Sequence, residues 1–204
     1  MKLFAIFLGL ILILIMILFP ILIGAIIILG IIVGLLSLIY YLYYKKSENY
    51  IKLNPSNGSY GKKAAIILNY FSRIDKLTMY GSGIMILMKL LKLKNKSYEY
   101  FENISEEKFK EIIEDANIDT IFVFGHGTYG SFKISSTNVI AYSKLNGFSE
   151  KDFIAQLHCC KKQKNEKSLV DIIRPKHSFI EEKLRWNIGN LILIYGWLLK
   201  KDWK

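Results

Sequence analysis

From Leu3 to Tyr44 the chain carries no charged residue, and isoleucine and leucine dominate the run. A bilayer span needs about 20 apolar residues, so this run is too long for one span and long enough for two. It also exceeds the apolar core of a signal peptide, and no small-residue cleavage site follows it. Pro20 lies near the middle, where it removes an N–H and crowds the preceding turn. The run therefore predicts a transmembrane helical hairpin, Leu3–Phe19 and Ile21–Tyr43, turning near Pro20; a single kinked span is the alternative. Gly30 and Gly34 form a GxxxG pair that would let two helices approach closely. Tyr40, Tyr41, Tyr43 and Tyr44 make an aromatic belt at the exit. Lys2 on one flank and Lys45 and Lys46 on the other predict that both ends of the hairpin face the cytoplasm.

The expected organisation is a hairpin at 1–46, a polar linker at 47–61 containing Asn54-Pro55 and Asn57-Gly58, and a soluble domain at 62–204. All 28 lysines and arginines except Lys2, and all 17 acidic residues, lie beyond Tyr44, giving that part a net charge of +10. Tethered beside a bilayer, such a domain is expected to meet anionic lipid. No basic-aromatic signature accompanies the charge, so nucleic acid is not an expected partner. The two cysteines, Cys159 and Cys160, are adjacent, which offers no disulfide framework and suits a reducing compartment.

Past the linker, apolar runs alternate with helical patterns. "KKAAIILNYF" (62–71) reads as a buried strand, "GSGIMILMKLLKLK" (81–94) as a helix, and "SYEYFEN" (97–103) as a strand. In "SEEKFKEIIEDAN" (105–117) Ser105 is placed to cap a helix whose core face is Phe109, Ile112 and Ile113. "TIFVF" (120–124) is another strand. This order predicts an α/β fold, a small and mostly parallel sheet with helices on both faces. "SFKISSTNVIAYSKL" then reads as two short strands about Thr137-Asn138. "GFSEKDFIAQLHCC" fits either of two patterns. As a helix, Ser149 would cap, Asp152 would close a capping box, and Phe148 and Phe153 would form a staple. As a strand, it would supply the fourth buried strand that the architecture asks for. After the basic loop 161–167 come "SLVDII" and an apolar segment, Trp186 to Leu199, read as a core or interfacial helix.

The chemistry rests on "IFVFGHG" and "FIAQLHCC". Sites in parallel α/β sheets form beyond the carboxyl ends of strands. His126 follows one such run directly, and if 153–158 is the neighbouring strand, Cys159-Cys160 follows at the same rim. Strands lie about 4.8 Å apart, close enough for imidazole and thiol to meet directly or across a substrate. A thiolate beside imidazole is nucleophilic near neutral pH. A metal site is the other chemical option, with His126, His158, Cys159, Cys160 and His177 as ligand types, but adjacent cysteines lack zinc spacing. No metal and no cofactor is expected. Tyr129 and Tyr142 are candidates for the cleft wall.

These two motifs, with "VIAYSKLNGF" between them, resemble the caspase–hemoglobinase fold of cysteine peptidases, the clan of caspases, metacaspases, gingipains and CHAT domains. The resemblance covers about residues 62–175. It implies a membrane-anchored thiol peptidase with His126 as base, Gly127 as an oxyanion N–H donor and Cys160 as nucleophile, Cys159 being the alternative. It also implies hydrolysis of a peptide or protein substrate through a thioester. The chain departs from the pattern in three ways, one being that no Ser-Gly or Arg-Gly follows the cysteine and a lysine-rich loop stands there instead. His126 and Cys160 are 34 residues apart, against roughly 50 in caspases. With 44 residues after Cys160, the usual later strands and the specificity pocket are expected to be truncated or absent. The reading from another class is a catalytically inactive membrane scaffold of the same fold that binds lipid or a partner.

Overall fold

The computed structural model describes residues 2–58, 61–81, 83–158 and 165–180. The chain divides into two units, Met1–Tyr43 and Tyr44–Lys204. Helix α1 (Lys2–Leu53) runs through Pro20, so the turn expected there is absent and a single helix replaces the hairpin. In apolar surroundings a helix remains the way to satisfy a lone chain's backbone, and one proline is tolerated because it costs few of those bonds. Leu22–Leu53 contains a window of mean hydropathy 3.0 with none of it buried, long and apolar enough by length and composition to cross a membrane. Nothing lies within 4 Å of a Cβ built at Gly24, Gly30 or Gly34, so the GxxxG pair meets no second helix among the described residues.

The linker assignment also changes. Residues 47–53 continue α1, and Ser47 and Ile51 are fully or almost fully buried. Tyr44, Ser47 and Ile51 recur at helical spacing, and Tyr44, Tyr50 and Ile51 join the core that covers one face of the sheet. A polar composition concealed one buried helical stripe.

That sheet contains β1 (Lys63–Leu68), β2 (Tyr98–Glu102), β3 (Ile118–Phe124), β7 (Phe153–Leu157) and β8 (His177–Ile180). Its order is β2-β1-β3-β7-β8, and every pairing within it is parallel. The segment 153–157 is therefore the strand, and the helical alternative for it is excluded. Its register sets Phe124 beside Leu157 and Phe122 beside Ala155.

Side chains alternate along each strand, so one strand serves two cores. Ala64, Ile66, Leu68, Phe122, Phe124, Ala155 and Leu157 pack under α3 (Ile84–Leu93) and the end of α1. Ala65, Ile67, Ile121, Val123 and Ile154 pack under α4 (Glu106–Glu114). Ser105 caps α4 by accepting from the Lys108 N–H, as its sequence predicts. A short helix not anticipated, α2 (Arg73–Gly81), precedes α3.

Between β3 and β7 the chain makes a separate antiparallel sheet of β4 (Gly127–Thr128), β5 (Ser131–Lys133) and β6 (Val139–Ala141). Phe132, Ile140 and Tyr142 anchor it on the α4 side. Helix α5 (Leu169–Ile173), which carries a Ser168–Asp171 capping box, then leads to β8. Residues 161–164 and Trp186–Leu199 lie outside the described residues.

Candidate functional site

The strand order reverses at β1. From β1 the chain leaves toward the face covered by α3, whereas from β3 it leaves toward the hairpin on the opposite face. In doubly wound sheets ligands bind beyond the carboxyl ends of strands whose exits diverge in this way. Asn69 follows β1 there, and Gly125-His126 follow β3.

Local packing dictates the glycines. Gly125 has φ +150°, and a Cβ on it would come within 2.8 Å of the Asn69 carbonyl oxygen and 2.9 Å of the Phe132 ring. Asn69 is fully buried. Its N–H donates to the Phe124 carbonyl at 3.1 Å, and its Oδ1 accepts from the Ile104 N–H at 3.1 Å. Its Nδ2 points toward the Lys133 and Ile134 carbonyls, each at 3.4 Å. One amide thus ties the end of β1 to the end of β3, to the turn before α4 and to the hairpin.

His126 is partly exposed and stands over α2. Its ring stacks on Phe71, with centroids 5.4 Å apart. Its Nε2 lies 3.4 Å from Asp75 Oδ1 and makes no hydrogen bond among the described residues. Asp75 is itself held: its N–H donates to Ser72 Oγ at 3.0 Å, and its Oδ2 accepts from the Phe71 N–H at 3.3 Å. Burial alone would raise the Asp75 carboxyl, but the Ser72 and Phe71 hydrogen bonds and the His126 imidazole outweigh it and hold Asp75 below its ordinary range. A carboxylate 3.4 Å from Nε2, in contact without a hydrogen bond, favours the tautomer of a neutral His126 that carries the proton on that nitrogen and leaves Nδ1 as the acceptor. Nitrogen-15 spectra of His126 are therefore expected to show the Nε2–H tautomer, and Asp75→Ala is expected to mix the two tautomers. An unchanged tautomer in that variant would remove Asp75 from the site.

Gly127 opposes Phe132 in β4. The flanking bond runs from the Lys133 N–H to the His126 carbonyl at 2.9 Å, which makes Gly127 and Phe132 a non-hydrogen-bonded pair. The Gly127 N–H consequently points away from β5. His158, directly after β7, is 2% exposed, with Nε2 2.6 Å from the Tyr142 hydroxyl and its ring against Phe132. Cys159 and Cys160 follow it and lie outside the described residues.

One expectation needs correction. Tyr129 and Tyr142 are buried rather than lining a cleft: the Tyr129 hydroxyl donates to Asp171 Oδ2 at 3.0 Å, and Tyr142 holds His158. Their alternating sequence context could not reveal that the hairpin folds back on the sheet. His177 pairs with Phe153 at the amino end of the parallel sheet, opposite His126. Among the described residues no three His, Cys, Asp or Glu side chains form a metal-binding group.

Sequence reasoning missed Phe71 and Asp75. The signal for their helix was present in "SRID", a serine followed three residues later by an acid. It also missed Gln156, fully buried, whose Nε2 donates to the Tyr129 carbonyl at 3.0 Å and whose Oε1 accepts from the Leu169 N–H at 3.0 Å. This side chain joins β7 to the hairpin and to α5. No protein-family model matches the chain, and neither a curated protein nor a solved structure matches it.

Proposed function

We propose that the chain is a membrane-anchored thiol hydrolase of the cysteine-peptidase type, resembling the caspase-like clan. His126 takes the proton of the Cys160 thiol, or of Cys159 as the alternative, through Nδ1. The thiolate sulfur attacks a peptide carbonyl carbon, and the carbonyl oxygen takes negative charge beside the Gly127 N–H. Collapse breaks the C–N bond, with the leaving amine taking the proton from His126. Water, deprotonated by His126, then hydrolyses the thioester and returns the thiol.

One observation carries this reading: His126 stands just past the carboxyl end of β3 with the Asp75 carboxylate 3.4 Å from its Nε2, next to the strand that runs into the two cysteines. A histidine serving only a turn needs neither partner. Helix α1 supplies the anchor as one span, and the excess of lysine on its Tyr44 side sets the domain in the cytoplasm by the positive-inside rule. The basic balance there suits contact with anionic lipid.

The test is alkylation of each cysteine across pH in the full chain, alone and with His126→Ala. Parallel Cys159→Ser and Cys160→Ser variants assign the nucleophile. A thiol activated through His126 supports the hydrolase; two ordinary thiols leave the catalytically inactive scaffold, and the domain is then to be studied for lipid or partner binding.

A further inference from the structure

Helix α2 brings Asp75 to His126, yet no described side chain of α2 belongs to either hydrophobic core. Ile74 on it is 73% exposed. Most helices in proteins owe their place to the packing of an apolar face, so α2 takes its place from polar contacts instead. Asp75 cannot make up for a shift of the helix. Its carboxylate accepts from the Phe71 N–H and its N–H donates to Ser72 Oγ, which binds it to the first turn.

Lys76 follows Asp75, about 100° further round the helix. Its side chain is 19% exposed, and its Nζ lies 3.5 Å from Glu48 Oε1 and 3.5 Å from Glu102 Oε1. Both carboxylates belong to the frame of the domain. Glu102 ends β2 and accepts from the Tyr70 hydroxyl at 2.5 Å and the Tyr100 hydroxyl at 3.1 Å. Glu48 is buried near the end of α1, between Ser47 and Ile51, which are buried too. The Lys76 ammonium also stands 5.2 Å from the centre of the Tyr70 ring. An isolated exposed ion pair contributes little, whereas charges joined in a network hold a geometry.

We propose that Lys76 is a positioning residue for the candidate site: its ion pairs to Glu48 and Glu102 hold α2 where Asp75 meets His126. Glu48 makes the end of α1 part of that frame, and Glu102 makes β2 the other part. Lys76 touches neither His126 nor a reacting atom and acts through Asp75 alone. As a statement about the reaction, the proposal rests on the hydrolase reading. As a statement about the His126 ring, it stands apart from cysteine chemistry.

The experiment is nitrogen-15 spectroscopy of the neutral His126 ring in the full chain in lipid nanodiscs, with His126→Gln to assign the signal. Lys76→Met is expected to produce at least about half of the tautomer shift that Asp75→Ala produces. Lys76→Arg keeps the charge and the donors and is expected to keep the wild-type spectrum. Glu48→Gln is expected to move the tautomer in the same direction by less, because Glu102 remains, and it serves as the test if Lys76→Met does not fold. A wild-type spectrum in Lys76→Met, even with a lowered melting temperature, would reduce Lys76 to a structural brace and overturn the proposal. No shift in Asp75→Ala, or Lys76→Arg behaving as Lys76→Met, would overturn it too. A shifted tautomer in a chain with inert thiols would sink only the hydrolase, and reactive thiols beside an unmoved His126 would sink only the role of Lys76.

Discussion

Gly127→Ala is expected to lower stability by about 3 kcal/mol or more, the range of overpacking a site that cannot relax. The added methyl would collide with the Ser131 carbonyl oxygen and come within 2.9 Å of His158 Nδ1. The first contact is backbone of the neighbouring strand, and the second is a ring already fixed by Tyr142. Neither can move without opening the small hairpin. For a domain of this size each kcal/mol shifts the melting temperature by about 2–4 °C, so thermal unfolding of the full chain in detergent should show a fall of about 6 °C or more. A change within 2 °C would mean that the hairpin is not packed on His158.

Lys151→Met is expected to cost about 2–4 kcal/mol, through buried carbonyls left without donors. Lys151 is 1% exposed. Its Nζ donates to the Ile118 carbonyl at 2.6 Å, the Asp115 carbonyl at 2.8 Å and the Ile112 carbonyl at 3.4 Å. It closes the C-terminal end of α4, where helices leave carbonyls unpaired. Ser149 donates to the Ile113 and Asp115 carbonyls from the same turn. Burial pushes Lys151 down to about 8, against the pull of Asp115 and Asp119. The sign follows from linkage. Below pH 8 both states hold the proton and the fold bears the full penalty of burying it. Between about 8 and the unfolded value near 10.4 the unfolded chain holds more protons, so stability rises with pH. Denaturant midpoints at pH 7 and pH 9.5 should show that rise in the wild type and lose it in Lys151→Met. An equal pH response in both would assign it elsewhere.

The sheet was legible because its strands are short apolar runs bounded by turn residues, and α4 because its cap and core spacing agree. For 150–160 the local helix signals were sound. Phe153, Ala155 and Leu157 nevertheless face one core, with Ile154 and Gln156 on the other side, and burial on two faces outweighed an exposed cap. The extension of α1 past Tyr44 escaped notice because its buried stripe carries a serine and Glu48. Glu48 is held there by Lys45, Lys52 and Lys76, the last of them on α2. His126 could be singled out from two flanking glycines. Asp75 could not, since its pairing depends on α2 crossing the end of β3, a tertiary fact with no periodicity.

The central claim is that His126 activates a thiol on the neighbouring strand. It is tested most directly by the rate of iodoacetamide alkylation at Cys159 and Cys160 from pH 5 to 9, in the wild type and in His126→Ala. The account predicts that Cys160, or Cys159 in its place, reacts well below pH 8 and loses that advantage without His126. Two thiols that titrate near 8.5, as free cysteines do, or that stay inert and indifferent to the substitution, would contradict it.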